Sequence, residues 1–356
     1  MAHMDIFRQD AFSMGSLTGT IQRIPYEPML LGSLNLARPM PIRTEFASIE
    51  EKGKKLAIIQ TSARGAPLEQ GRTNKRKLRR FDTVRLAKGD RVNAAEIQGI
   101  RAFGSETELM QVQELVVEKQ TELRRDLELT FENHRLGMIN GLVLDADGTV
   151  IVDWFAEFNI ERPDPISLGL STATTDVELA IRQKVLRPMA RAAQGLWLPN
   201  TYAAALCGDS FFDKLTNHKT VRETYLNTVQ AQALRNAFGP AADSLTGAFA
   251  VYWYGGVLWI NYRGVDDFDE KAEPGTRQAM GVRPKEAKLF PINAPGVFMR
   301  AQSPGEAFAY VNTPGRDMYS EIEIEKRTNP RFVDLEIYSY PLFICTRPEI
   351  LRTVTE

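Results

Sequence analysis

The chain has 356 residues, 43% apolar and 25% charged, with a formal net charge of −1; this is the balance of a soluble globular protein with room for one or two domains. No run approaches the ~18–20 apolar residues of a membrane span, and the opening MAHMDIFRQDAF lacks the apolar centre of a signal peptide, so neither membrane insertion nor export is expected. Two cysteines (Cys207, Cys345) and three histidines (His3, His134, His218) stand in no metal-ligand spacing, which argues against zinc chemistry and thiol catalysis.

Residues 1–44 carry Pro25, Pro28, Pro39 and Pro41. These break any continuous helix, and short apolar pieces such as PMLLGSLNL predict an extended arm that needs something else to pack on. Residues 45–103 alternate strand-like pieces (TEFASIEE, KLAIIQTS, FDTVRLAKGDRV) with a polar tip, RGAPLEQGRTNKRKLRR. They hold too little apolar surface for a core of their own and predict a long two-stranded excursion. Charge is lopsided here: residues 50–100 hold thirteen Lys or Arg against six Asp or Glu, a balance of +7, which leaves −8 for the rest.

Ser105-Glu106-Thr107-Glu108 has the form of a capping box. Leu109, Val112, Val116, Leu123, Leu127 and Phe131 follow at helical spacing, with Gly137 as the stop. The pattern predicts a helix of about 31 residues and ~46 Å. Asp147-Gly148 then sits between LVL and VIVDWF, the signal for a two-residue hairpin turn with positive φ at both central positions. TTDVELAIRQKVLRPMARAAQ (174–194) predicts a helix bent at Pro188, and TVRETYLNTVQAQALRNAF (220–238) predicts another. Beyond residue 244 strands take over: Gly255-Gly256 punctuates a second hairpin, and SEIEIEKRTNPRFVDLEIYSYPLFICTRP closes the chain. The order gives an α+β fold class.

The stretch GLVLDADGTVIVDW (141–154) also matches the opening of haloacid-dehalogenase-type phosphatases. In that reading Asp145 is the nucleophile and Asp147 the general acid/base. Asp209 and Asp213 would hold Mg²⁺, with Lys184 neutralising phosphate. Such chemistry needs a parallel βα sheet to converge its motifs, and the segment from Asp145 to Asp209 offers one convincing helix. A hairpin turn plus an unrelated acidic turn explain the same residues. The Mg²⁺-dependent phosphatase is therefore the distant alternative.

The element order resembles the viral capsid fold named after phage Hong Kong 97 (HK97-like). More specifically, ALCGDSFFDKLTNHKTVRETY (205–225), YGGVLWINYRG (254–264), FPINAPGVFMRAQSPGE (290–306), AYVNTPG (309–315) and PLFICTRPEIL (341–351) resemble the lambda-type phage major capsid protein family. The resemblance implies an N-terminal arm (1–44), an extended loop (45–103), and a peripheral domain with spine helix and hairpin (104–171). An axial domain (172–317) and closing strands returning to the peripheral domain (318–356) complete it. It further implies a structural protein, not an enzyme, that self-assembles as pentamers and hexamers into an icosahedral shell around double-stranded DNA. No cofactor or metal is implied. Its partners would be further copies of itself, with decoration, scaffolding and portal proteins and non-specific contact to packaged DNA, but no membrane. Its place would be the virion, after assembly in the host bacterial cytoplasm. A cellular nanocompartment shell of the same fold is the alternative.

The basic tip, Arg72, Lys75, Arg76, Lys77, Arg79 and Arg80, is the candidate site. It suits a nucleic-acid patch, a targeting-like signal, or an inter-subunit interface with the acidic surface of a neighbour. The −8 carried by the rest of the chain favours the interface.

Overall fold

The computed structural model describes residues 30–52, 76–93, 96, 105–227, 250–262, 281–326 and 331–356. From Leu30 the chain forms one helical turn, α1 (Leu30–Ser33), and then β1 (Arg38–Pro41), β2 (Phe46–Lys52), β3 (Arg76–Asp82) and β4 (Leu86–Asn93). The long helix α2 (Ser105–Asn140) leads into β5 (Leu142–Leu144), β6 (Val150–Asp153) and α3 (Trp154–Phe158). Next come β7 (Ile166–Ser167), α4 (Val177–Ala180), a π-helical segment (Ile181–Leu186) and α5 (Arg187–Ala192). They are followed by β8 (Tyr202–Cys207), α6 (Asp209–Asn217) and α7 (Lys219–Asn227). Strands β9 (Val251–Tyr254), β10 (Val257–Asn261), β11 (Glu286–Ile292) and β12 (Phe298–Gln302) come next. The chain ends with β13 (Tyr319–Ile324), β14 (Phe332–Ser339), β15 (Pro341–Cys345) and β16 (Arg352–Thr355).

A six-stranded sheet runs β7-β16-β11-β8-β10-β9. Its centre is written in the sequence: the AAALC of β8 and VLWIN of β10 are buried apolar runs with no alternation, as strands covered on both faces require. Two three-stranded sheets, β1-β12-β15 and β13-β14-β4, and the hairpins β2-β3 and β5-β6 complete the architecture. Strand β14 does alternate, burying Val333, Leu335 and Ile337. Helix α2 packs on β4, β14 and β15 and buries Val116, Leu123, Leu127 and Phe131.

The structure corrects several expectations. Helix α2 has 36 residues, ~54 Å at the usual rise, and ends at Gly141 (φ +73°) rather than Gly137. Gly137 has another use: a Cβ there would lie 2.8 Å from Val143 Cα and 2.9 Å from the Leu142 carbonyl oxygen. It lets β5 fold back against the helix. The capping box side chains lie outside the described residues. Pro188 does not simply bend its helix; the π-helical segment precedes it. The Arg187 amide just before the proline bonds back to the Arg182 carbonyl across the wider turn, and Pro188 stands in the first turn of α5, where its missing N–H costs little. CGDSFFD is not an acidic turn either, since Asp209–Asn217 is helical and buries Phe211, Phe212 and Leu215. The helix predicted over 220–238 begins at Lys219, and 228–238 lies outside the described residues. The Gly255-Gly256 hairpin has φ of +61° and +80° at its two glycines, as a primed turn requires.

The arm and loop also prove less self-insufficient than their composition implies. Leu30 and Leu31 are buried, and β1, with Pro39 and Pro41, pairs with β12 as an edge strand. Glu132 of α2, 1% exposed, receives the Leu31 amide on Oε1 (2.7 Å) and the Gly32 amide on Oε2 (3.0 Å), with Arg135 donating at 3.2 Å. Strand β4 is not part of a free excursion: it pairs along its whole length with β14.

Two outcomes are expected from this packing. Gly137→Ala, stabilising by ~0.5–1 kcal/mol in an open helix, should instead lower the thermal midpoint of the unassembled subunit, because the new methyl meets backbone. An unchanged or higher midpoint would contradict the close approach. Burial also pulls the His134 imidazole down to about 4. Between pH ~6.5 and 4 the unfolded chain therefore takes up a proton that the folded chain refuses. Stability present above pH ~6.5 should be lost as pH falls through that window, by up to roughly 3 kcal/mol. Urea unfolding of His134→Gln should lack this part of the slope; identical slopes would contradict it.

Candidate assembly interface

The six cations of the basic tip fall to different places. Arg72 and Lys75 lie outside the described residues, and Arg76 and Lys77 open β3, where only the backbone is described. In the antiparallel register of β2 and β3, Ala47 faces Phe81 and Ile49 faces Arg79. Directly opposed residues share a face, so these four side chains form the inner side of the hairpin. Phe81 meets Trp154 edge-on with centroids 5.2 Å apart, and Phe158 at 6.2 Å. Arg79 lies over the Phe158 ring at 5.2 Å and donates to the Glu157 carbonyl. Arg79 thereby helps anchor the hairpin to α3 of its own subunit.

The outer side is different. Arg80 stacks on Phe46 at 3.5 Å and lies 3.6 Å from Asp82, with both charged side chains mostly in water. Leu78 beside it is 69% exposed. Below them, Thr83 ties the foot of the hairpin through its amide (3.0 Å) and hydroxyl (2.9 Å) to the Glu45 carbonyl.

A complementary surface lies on the outer face of β13-β14-β4. The register sets Glu321 across from Glu336 and Glu323 across from Asp334. Like charges directly opposed are destabilising in a sheet. Arg91 from β4 relieves Asp334 through two hydrogen bonds of 2.7 and 3.1 Å. Across from Glu336, however, β4 places Gly89, which has no side chain to offer. Burial, followed by the charges of Glu336, Glu306 and Glu323, raises the Glu321 carboxyl above its ordinary range. Sequence reasoning missed this face, although the alternation in SEIEIE put its carboxylates on one side. What was lacking was the register that opposes them to β14.

The phosphatase motif does not converge. Asp145 follows β5 in a two-stranded hairpin, whereas Asp209 opens α6 behind β8 in the six-stranded sheet. Strand β8 has β10 parallel on one side and β11 antiparallel on the other. The turn itself is a three-residue loop: the Asp145 amide donates to the Thr149 carbonyl (2.9 Å) and the Gly148 amide to the Asp145 carbonyl (3.0 Å). Only Gly148 has positive φ, +86°, so the turn is the kind that ends in a glycine bulge, not the expected two-residue turn. The Asp147 carboxylate accepts from the Thr149 amide (2.9 Å) and hydroxyl (2.7 Å), which holds its pKa below the usual range. The Lys184 ammonium meets the Ser167 carbonyl at 3.4 Å. Among the described residues no cluster of His, Cys, Asp and Glu is fit to hold a metal ion, and no helix is long and apolar enough to cross a membrane.

Comparison with known proteins gives this geometry a context. The major capsid protein of Salmonella phage Felix O1 is 25% identical over 359 aligned residues, covering 96% of each chain. That of Pseudomonas phage KPP10 is 28% identical over 343, covering 94% of each. A crystal structure described as a prophage capsid protein of E. coli CFT073 superposes with a TM-score of 0.57 at 13% identity, covering 96% of this chain and 98% of the other; at that identity it speaks for the fold, which is α+β and HK97-like. The family model for phage major capsid protein E matches residues 13–356. The chain belongs to the phage major capsid protein E family.

Proposed function

We propose that the chain is the structural subunit of a phage head, assembling as pentamers and hexamers into an icosahedral shell around double-stranded DNA, and that it has no catalytic role. The family match across residues 13–356 carries this reading and favours a phage shell over a cellular nanocompartment. Asp145 follows β5 of a two-stranded hairpin and Asp209 opens the helix behind the six-stranded sheet, which supports a turn, not a catalytic pair. On this reading the arm is 1–44, the loop 45–103, the peripheral domain 104–171, the axial domain 172–317, and the closing strands 318–356. The protein would reside in the virion after assembly in the host cytoplasm, with portal, scaffolding and decoration proteins as further partners.

Within that shell, the basic cluster Arg72, Lys75, Arg76, Lys77 and Arg80 would meet the acidic face of a neighbour, with Arg80 on the outer side of the β2-β3 hairpin. Glu321 and Glu336 are the partners we assign, since Glu323 pairs with Lys326 at 2.9 Å. What supports the pairing is the exposed Arg80 on the hairpin and two opposed carboxylates to which β4 offers only Gly89.

Electron microscopy of purified protein should show closed shells. Monomers that release phosphate with Mg²⁺, abolished by Asp145→Asn, would contradict the reading. Arg80→Glu should impair assembly while changing the subunit's unfolding free energy by no more than ~0.5 kcal/mol, as for an exposed position. The defect should vary with salt, since such pairs are screened over ~10 Å at 0.1 M. Arg79→Glu should lower the midpoint as well, because it removes the anchor on Phe158. Normal assembly of Arg80→Glu with loss of DNA retention would replace the interface by a nucleic-acid patch.

A further inference from the structure

Between β12 and β13 the chain holds an aromatic ring in water on a rigid mount. Phe308 is 97% exposed and Val311 58%, with Ala309 and Pro314 exposed beside them. A ring on a floppy loop would carry little meaning, but this one is fixed from beneath. Phe308–Tyr310 is a 3-10 turn in which the Tyr310 amide donates to the Ala307 carbonyl at 2.9 Å. The Thr313 amide (3.1 Å) and hydroxyl (2.7 Å) both donate to the Tyr310 carbonyl. The Tyr310 ring is buried against Tyr319 at 4.6 Å, and Tyr319 packs in turn on Tyr340 at 6.1 Å. The Tyr319 hydroxyl accepts from the Arg316 amide (2.8 Å) and donates to the Ser303 carbonyl (3.3 Å). Gly315 makes this closure possible, since a Cβ there would stand 2.1 Å from the Gln302 carbonyl oxygen. Three buried tyrosines thus present a phenylalanine from which the subunit itself gains almost nothing.

We infer that Phe308, with Val311 beside it, is an anchor that becomes buried against a second copy of this chain. This rests on the shell reading and adds a specific contact to it. The occupant follows from where the mount is tied. Ser303 Oγ meets Thr83 Oγ1 at the foot of the hairpin (2.9 Å) and donates to the Thr44 carbonyl (2.9 Å). Glu306 pairs with Arg85 at 2.8 Å, and the Gly315 amide donates to the Ile42 carbonyl at 2.9 Å. Phe308 is therefore mounted on the foot of the hairpin that the shell reading assigns to a neighbour. In a shell of one repeated chain, the partner at such a lateral surface is another copy, met through a heterologous contact. A preorganised exposed aromatic is the side chain that dominates such contacts, because little ordering entropy remains to be lost on burial.

Two experiments on the full chain test this. In Phe308→Ser, the protein concentration at which shells appear, followed by light scattering, should rise by about 30-fold or more, the factor expected of a hot-spot side chain. The thermal midpoint of the unassembled subunit should stay at the wild-type value. A photo-crosslinking residue placed at position 308 should yield a covalent dimer of the chain in shells and none in unassembled protein. An unchanged assembly threshold would overturn the inference and leave the shell reading intact, as would crosslinks only to a different polypeptide. A lowered midpoint would make Phe308 part of its own subunit's fold, which also overturns it. Failure of the wild-type chain to form shells at all would overturn the shell reading first, and this inference with it.

Discussion

A buried carboxyl group decides how this subunit is put together. Glu132 lies in the last third of α2, where Phe131, His134, Leu136, Met138 and Ile139 are also buried, so the helix there has no wet face. Burial works to raise the Glu132 carboxyl, and two backbone amides and Arg135 work against it. A carboxyl in such a place is tolerable only if its lone pairs are met. Beside Arg135, the partners are the Leu31 and Gly32 amides of the N-terminal arm. These two bonds tie the arm to α2, and Leu30 and Leu31 are buried beside them. From that point β1 is led to the edge of β12, and β2 to the foot of the hairpin.

The fold around this clamp separates what must be stiff from what must reach outward. Helix α2 packs on β4 and β14, so the acidic face of β13-β14-β4 is backed by the long helix. The hairpin is rooted by Phe81 on Trp154 and Phe158, leaving its other side, with Leu78 and Arg80, to water. Apolar surface at the root and charge at the outer side put the folding energy and the association energy in different residues. That division is what a subunit needs if it is to fold alone and still be completed by its neighbours.

How much of this was legible in the sequence depended on range. Local signals were read well: the paired glycines at 255–256, the apolar runs of β8 and β10, and the helical spacing from Leu109 to Phe131. Two glycines misled for a definable reason. Gly137 has the composition of a helix stop but serves the close approach of β5, which depends on how the next strand folds back. Gly148 was assigned a two-residue turn, whereas Asp147 spends its carboxylate on Thr149 and the loop takes three residues. Asp209 was weighed as a metal ligand, which hid the helix it opens. The clamp was beyond reach, because Glu132 and Leu31 are 101 residues apart and neither belongs to a recognisable motif. The same holds for the opposed glutamates, where alternation was visible but register was not.

The claim that most of the account rests on is that Glu132 holds the arm in place. Hydrogen exchange on the unassembled subunit, comparing wild type with Glu132→Ala, tests it directly. The Leu31 and Gly32 amides and the β1 strand should be protected in the wild type. In the variant they should lose protection first, with a global cost of about 3–5 kcal/mol, as for a broken buried pair, while the β9-β10 hairpin keeps its order of protection. Equal protection of Leu31 and Gly32 in the two proteins would show that the arm is held by other contacts, and that Glu132 is not the constraint on which the subunit depends.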